Sequence, residues 1–532
     1  MDSVFLSVCF CADVVDMTQK TPSIFKKSSD LAVLTIISRV LGLVRESAAA
    51  AFLGTGVLAD AFSVAFIVPD MVRRLFADGV ISAAFIPQFK GLVTENKMER
   101  AAGFLNAVFS IVTVFAFVTV VILMIFSGNL VSLLAPSFDA ESAKEAAFLA
   151  KVMFPYIFFI TLAALIQSVL NSSGIFRPSG CSPIVFNIVF ITLAFLLAPL
   201  SSDPARALSI GVLAGGFMQM AVQFPFMAKT LFKFRFVSLK KAFAEPLVKK
   251  SSKMVLATLF GTGAYQINIL LTTNFASKAG VGVVSSLRFS ARIEELILGI
   301  FVVSLSTVIL PELVENAKSR NNAALEKNLS SALNFVAFVS IPAVIFTLFN
   351  SDEMVKLLFG FGRFDGTSVT LTSDALRFRI AGLFFIAVSR IMISLFYAFE
   401  KTTVPIIAGL TSIVVNFVAA YFLVGSLAGG GIALASTIAA FSCAAILFGS
   451  YFFSLKGSLK LGKVFACFVK VSIISTASLL PLFFLKGRIY AFFETVSLPQ
   501  KICELCSFSL VALVFGVLFF TFSLLFKVRI FR

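Results

Sequence analysis

Histidine and tryptophan are both missing from this 532-residue chain. Without histidine there is no imidazole to serve as a general base, proton relay or metal ligand near neutral pH. Without tryptophan, the 65 phenylalanines and six tyrosines must supply the aromatic contacts. Charge is scarce too: Asp, Glu, Lys and Arg make up 13% of the residues, against roughly 25% in an average soluble chain. The seven cysteines suggest no disulfide framework. Cys503 and Cys506 have CxxC spacing, but with no second pair and no histidine they argue against a metal site. No phosphate-binding glycine loop, nucleophile–base arrangement or isolated carboxylate dyad occurs, so nothing points to an enzyme or to a bound cofactor.

What the chain has in abundance is apolar length. It is 59% hydrophobic, and runs of about 20 apolar residues, enough to cross a bilayer as helix, recur along it. The reading is an all-α polytopic membrane protein with about fourteen transmembrane helices, near residues 31–53, 58–80, 102–126, 147–171, 181–199, 207–232, 254–276, 289–313, 329–349, 377–399, 404–424, 429–454, 464–485 and 505–526. The formal charge of +17 would suggest nucleic acid in a soluble protein. Here it follows the positive-inside rule, because Lys and Arg gather in alternate loops. Lys229, Lys233, Arg235, Lys240, Lys241, Lys249, Lys250 and Lys253 crowd one such connection; Lys456, Lys460 and Lys463 lie in another; Lys527, Arg529 and Arg532 end the chain. That alternation supports an even number of spans with both ends in the cytoplasm, and no nucleic-acid partner is expected.

The organisation follows from the same loops. Residues 1–30 form a tail with no positively charged leader region, and Met17 offers a second start. Residues 31–232 form a first lobe of six helices, 233–253 a basic cytoplasmic linker, 254–455 a second lobe of six, and 456–532 two further helices and a tail. Both lobes begin on one side of the membrane, so a repeat would be parallel. Ser168, Pro178 and Asn187 recur in order as Ser394, Pro405 and Asn416, at unequal spacing.

Cations inside the spans are the candidate functional residues. Arg39 and Arg45 lie in the first, where a charge costs about 2.5–3.5 kcal/mol at the bilayer centre. Arg39, Gly42 and Glu46 share one helical stripe. Arg45 is displaced about 120° round the helix and about 9 Å along it. The second span begins at Asp60, contains Pro69, and carries Asp70, Arg74 and Asp78 at four-residue intervals, which allows pairing within the helix. Arg73 has no acid four residues away and reads as the better ligand. In the eighth span Arg288, Arg292 and Glu295 share a stripe, with Arg292 near the expected helix start. A guanidinium binds phosphate oxygens bidentately and stays charged, so Arg39, Arg45, Arg73 and Arg292 suit a diphosphate. Gly425–Gly431 reads as a tight turn between helices rather than a phosphate cradle.

The segment from Ser38 to Phe89, SRVLGLVRESAAAAFLGTGVLADAFSVAFIVPDMVRRLFADGVISAAFIPQF, resembles the N-terminal signature of the MurJ (MviN) family of lipid II flippases. Phe154–Phe159 (FPYIFF), Leu170–Phe176 (LNSSGIF), Ala291–Ile300 (ARIEELILGI) and Phe359–Asp365 (FGFGRFD) extend the likeness to most of the chain. The resemblance implies the wider superfamily of multidrug and polysaccharide exporters, with two six-helix lobes around a cationic cavity and two extra helices forming a lipid-facing groove. The implied cargo is an undecaprenyl-diphosphate-linked disaccharide-pentapeptide, moved to the outer leaflet for cell-wall synthesis, with membrane lipids and the cell-wall synthesis machinery as further partners. By motif position the substrate-binding residues are Arg39, Arg45, Arg73 and Arg292, supported by Glu46, Asp60, Arg74, Asp78 and Glu295. Some relatives bind sodium through an acid on the seventh helix; this chain has no acid between Glu245 and Glu294, which argues against a site of that design. Coupling to sodium or to membrane potential is not located by the sequence. Rival readings are a flippase for another polyprenyl-linked oligosaccharide, a cation-coupled multidrug exporter, and a membrane scaffold in a cell-wall assembly complex.

Overall fold

A backbone in hydrocarbon must satisfy its own hydrogen bonds, which favours helices wherever the sequence is continuously apolar. A computed structural model describes residues 24–75, 81–318, 322–454, 461–496, 499–526 and 528, and among these every regular element is helical. In chain order they are α1 (Ile24–Leu53), α2 (Val57–Leu75), α3 (Ile81–Thr94), α4 (Met98–Ile125), α5 (Ser127–Leu134), α6 (Ala140–Met153), α7 (Pro155–Ser172), α8 (Arg177–Leu197), α9 (Pro204–Ala221), α10 (Phe224–Met227), α11 (Leu239–Ala244), α12 (Pro246–Lys278), α13 (Val283–Lys318), α14 (Asn322–Phe349), α15 (Ser351–Phe359), α16 (Gly366–Ile380), α17 (Leu383–Ala398), α18 (Thr403–Ser454), α19 (Leu461–Glu494) and α20 (Gln500–Leu525).

Each of the fourteen expected spans falls largely on helix, with residues 228–232 of the sixth outside it and residues 76–80 of the second outside the described residues. Among the described residues eight stretches are long and apolar enough to cross a bilayer, and the pair α16–α17, bent by 42°, makes a ninth. One of the eight, Thr403–Phe453, holds two expected spans. They are separated at Ala428, whose φ of 46° breaks the helix inside the glycine-rich turn. Gly431 permits that turn, because a Cβ there would lie 2.3 Å from the carbonyl oxygen of Leu423.

Three boundaries differ from expectation. The helix α3 was not foreseen, because Pro87, Gln88 and Lys90 dilute its apolar signal. The fourth span breaks between α6 and α7 at Pro155, which lacks the N–H that would continue the helix and instead occupies the first turn of α7. The eighth begins at Val283, six residues early. Arg292 therefore lies about 14 Å from the start of α13, at about 1.5 Å per residue, rather than near its end.

The helices group into two compact units. The first comprises residues up to Ala49, Ala65–Val131 and Ala143–Gly263; the second comprises Ala50–Val64, Ser132–Ser142 and residues from Ala264 onward. Within the first, small residues on α9 let it approach α7 and α8 closely, as apolar solvent around the helices demands. A Cβ added at Gly215 would lie 2.8 Å from the Phe186 ring, and one at Gly216 would lie 2.2 Å from the Tyr156 ring. That approach fixes Tyr156 and Phe186, whose centroids are 5.6 Å apart.

Within the second unit, α14, α19 and α20 share apolar cores built on Ile341, Val471 and Phe519 and on Phe346, Leu482 and Phe515. The turn between α1 and α2 is locked to the FGFGRFD segment. The Arg363 N–H donates to the Ala51 carbonyl at 2.8 Å. Gly362 leaves space for that same carbonyl, since a Cβ there would be 2.3 Å away. The Thr55 and Ser368 hydroxyls lie 2.8 Å apart. Asp365 caps α16 by accepting the Ser368 N–H at 2.8 Å, and that bond holds its carboxyl below the usual range.

Candidate functional site

In the first unit α1 presents its arginines differently from one another. The Arg45 guanidinium donates to Glu46 at 2.5 Å, and their side chains are 15% and 5% exposed. The same guanidinium lies over two rings of α8, 5.3 Å from the centroid of Phe186 and 5.9 Å from that of Phe190. Cation–π contacts of this kind gain strength where water is excluded. Next to those rings, Asn187 donates its side-chain amide to the Ser38 carbonyl at 3.3 Å. Aromatic face, acid and amide thus hold one guanidinium and the turn of helix before it. Arg39, next to Ser38 and six residues before Arg45, is half-buried. Among the described residues it has no carboxylate or hydrogen-bond partner. The expected stripe of Arg39 and Glu46 is not an ion pair; Glu46 serves Arg45, the adjacent residue, because the long arginine stem bridges the step round the helix.

On α2 the pairing expectation needs correcting. Asp70 accepts from both neighbours: Arg73 at 3.0 and 2.8 Å, and Arg74 at 2.9 Å. Arg73 has no acid at a four-residue offset, but the three-residue offset brings its guanidinium to the same carboxylate. The two arginines and Asp70 are each about a quarter to a third exposed. Asp78 lies outside the described residues.

In the second unit Asp60 is buried and accepts the backbone N–H groups of Gly282 at 2.6 Å and Ser285 at 2.8 Å. It caps α13 from another helix, over 200 residues away in sequence, and satisfies donors that the helix start leaves orphaned. This explains the early start of α13. Arg292 pairs with Glu295 at 3.2 Å, both partly exposed. Sequence reasoning missed a tighter pair beside it, Glu294 with Arg379 at 2.7 Å. A signal existed: Arg379 stands inside an expected span and deserved the scrutiny given to Arg39.

The helix α12 carries a neutral polar group instead. Asn416 donates to Asn268 at 2.7 Å and lies 3.3 Å from the Thr272 hydroxyl. The Asn268 oxygen is taken by that N–H while the Asn416 oxygen has no hydrogen-bond partner among the described residues, and no carboxylate stands anywhere on α12. These residues do not fit a sodium site built on a seventh-helix acid. Among the described residues no group of three or more His, Cys, Asp or Glu side chains is placed to hold a metal ion.

Each unit thus holds guanidinium groups paired with an acid (Arg45, Arg73, Arg74, Arg292 and Arg379) or lying over a ring (Arg45 and Arg288). Residues 49–502 match the family model described as lipid II flippase MurJ. A probable lipid II flippase MurJ of Treponema pallidum is 36% identical over 423 residues, covering 78% of this chain and 80% of the relative. One of Rhizobium meliloti is 33% identical, covering 80% of each chain. Among solved structures, a lipid II flippase MurJ in an inward closed conformation aligns with a TM-score of 0.75 at 24% identity, covering 93% of this chain and 98% of that one. An inward-facing multidrug transporter of the MATE family aligns at 0.65 with 16% identity, covering 80% and 95%. At these identities the two structures establish the fold alone. The sequence matches go further: this chain belongs to the MurJ family of lipid II flippases.

Proposed function

We propose that this chain is a lipid II flippase. It moves the undecaprenyl-diphosphate-linked disaccharide-pentapeptide from the cytoplasmic to the outer leaflet of the inner membrane by alternating access, with both termini in the cytoplasm. It is a transporter and not an enzyme: no covalent step is required, only a binding surface for a diphosphate head group. The observation that carries this reading is Arg39, a half-buried cation on a membrane helix without an acidic partner among the described residues. Arg45, six residues on, is held rigid by Glu46, Phe186 and Phe190. A fixed guanidinium and an uncommitted one on the same helix give a diphosphate one oriented contact and one adaptable contact. Arg73, Arg74 and Arg292 add charge-assisted donors, which Asp70 and Glu295 orient.

Inside-negative membrane potential acts on such a carrier at about 2.3 kcal/mol per charge per 100 mV. It draws the empty cationic form towards the cytoplasmic face and so resets it. A multidrug exporter for cationic drugs needs uncommitted carboxylates, whereas Glu46, Asp70, Glu294 and Glu295 each pair with arginine and Asp60 caps a helix. The test is a leaflet-specific assay of lipid II after acute depletion of the protein. Loss of outer-leaflet lipid II, with accumulation inside, is expected; unchanged delivery overturns the assignment.

A further inference from the structure

Between Lys229 and Lys253 the chain places eight Lys and Arg residues against one acid, Glu245. All eight cations are exposed. The segment is nonetheless well fastened to the first unit. From Phe232 to Val237 it runs without helix beside α3 and α4, with Phe232 buried and Phe234 half-buried while Lys233, Arg235 and Phe236 stay exposed. Phe232 packs edge-on to Phe89 at 4.8 Å, and Phe234 packs on Phe109 at 4.8 Å. The backbone N–H of Arg235 donates to Asn106 at 2.7 Å and that of Val237 to Ser110 at 2.8 Å. The short helix α11 then buries Ala242 completely. What remains on the outer side is mixed: Lys233, Arg235, Lys240 and Lys241 stand among Leu231, Phe236 and Phe243, which are 83%, 60% and 56% exposed.

We propose that residues 231–250 form a docking surface for anionic phospholipids of the cytoplasmic leaflet. The positive-inside bias accounts for the cations but gives no reason to expose large apolar side chains beside them. A headgroup boundary accounts for both: phosphates meet the ammonium and guanidinium groups while Leu231, Phe236 and Phe243 enter the acyl edge. A soluble phosphate would use only the charge. The surface is separate from the transport arginines, so it stands or falls independently of the cargo.

The test measures thermal unfolding of the full-length protein in detergent micelles containing phosphatidylcholine, phosphatidylglycerol, or phosphatidylcholine with inorganic diphosphate. Phosphatidylglycerol raises the midpoint of the unmodified protein over phosphatidylcholine, and the gain shrinks with added salt. The combined variant K233Q/R235Q/K240Q/K241Q loses most of that gain while melting normally in phosphatidylcholine. The variant F236S/F243S, which changes only exposed side chains, also loses part of it and decides the matter if the charge variant folds poorly. An undiminished gain in both variants, or an equal gain from inorganic diphosphate, overturns the proposal.

Discussion

The first expected span of each lobe makes an informative pair. In α1, Asn187 from the fifth span donates to the backbone at Ser38. In α12, Asn416 from the eleventh span, again fifth in its set, donates to Asn268 and reaches Thr272. The recurrence of asparagine in sequence thus coincides with the same kind of contact in space. The surroundings differ completely. The helix α1 carries Arg39, Arg45 and Glu46, whereas α12 has no charged residue between Lys253 and Lys278. On the function proposed above, the amide contact serves packing in both helices, and the charge on α1, being costly in hydrocarbon, serves the cargo.

If that division is right, the two helices respond oppositely to truncation. Arg39→Ala and Arg45→Ala each remove a charge-assisted contact worth about 1.5–3 kcal/mol, which is roughly a tenfold or greater loss of transport. Neither variant supports growth in a depletion strain, although Arg39→Ala reaches the membrane at normal levels by immunoblot. Asn268→Ala supports growth. Normal growth from either arginine variant breaks the comparison at its root.

The next effect separates held charge from cargo charge. Glu46 is buried beside Arg45. Glu46→Gln leaves that guanidinium without its acid, at a cost of about 3–5 kcal/mol when one partner of a buried pair is lost. The unfolding midpoint in detergent falls accordingly, and the double variant Arg45→Met/Glu46→Leu recovers it without recovering transport. A single variant as stable as the parent would show that aromatic contact alone holds Arg45.

These contrasts also show what could be read from residues alone. The spans were legible because continuous apolar length is a one-dimensional signal, and Arg39 and Arg45 stood out against it. Pairings were less legible. The acid that Arg73 shares with Arg74 sits three residues away, and only helix geometry plus rotamer choice brings both guanidiniums to Asp70. Asp60 looked like a supporting acid of its own helix, yet its donors belong to Gly282 and Ser285. No local pattern announces a cap supplied by a distant helix. The start of α13 was misplaced for the same reason, as was the setting of Arg292. The motif FGFGRFD was visible as a resemblance, but its lock on the α1–α2 turn depends on a three-dimensional approach of Gly362 to Ala51.

A smaller effect separates a closely packed glycine from an open one. Gly216→Ala forces a Cβ to within 2.2 Å of the Tyr156 ring, and overpacking of this kind costs about 1–3 kcal/mol. It also displaces α7 and α9, which flank the Phe186 ring under Arg45, so some transport is lost with stability. Gly409, on the eleventh span, has nothing within 4 Å of the corresponding position. Gly409→Ala is expected to be neutral or stabilising by up to about 1 kcal/mol through helix propensity. Equal losses in both variants, read as unfolding midpoints, would show that Gly409 is packed as closely as Gly216.

The smallest expected effect is none. Because the clamp on α12 is an amide–amide–hydroxyl set with its N–H directed at the Asn268 oxygen, it offers a monovalent cation no carboxylate, only neutral oxygens such as that of Asn416. Replacing sodium by potassium on both sides of a proteoliposome therefore leaves lipid II translocation unchanged while the membrane potential is held fixed. The comparison sharpens with Asn268→Asp, which installs an acid where Asn416 can still donate. That variant gains sodium sensitivity if the α12 clamp occupies a cation-competent position, and stays indifferent if the clamp is only a packing element. A sodium requirement in the unmodified protein would instead mean that a cation is held by other residues, and that the neutral copy of the scaffold is not where coupling was lost.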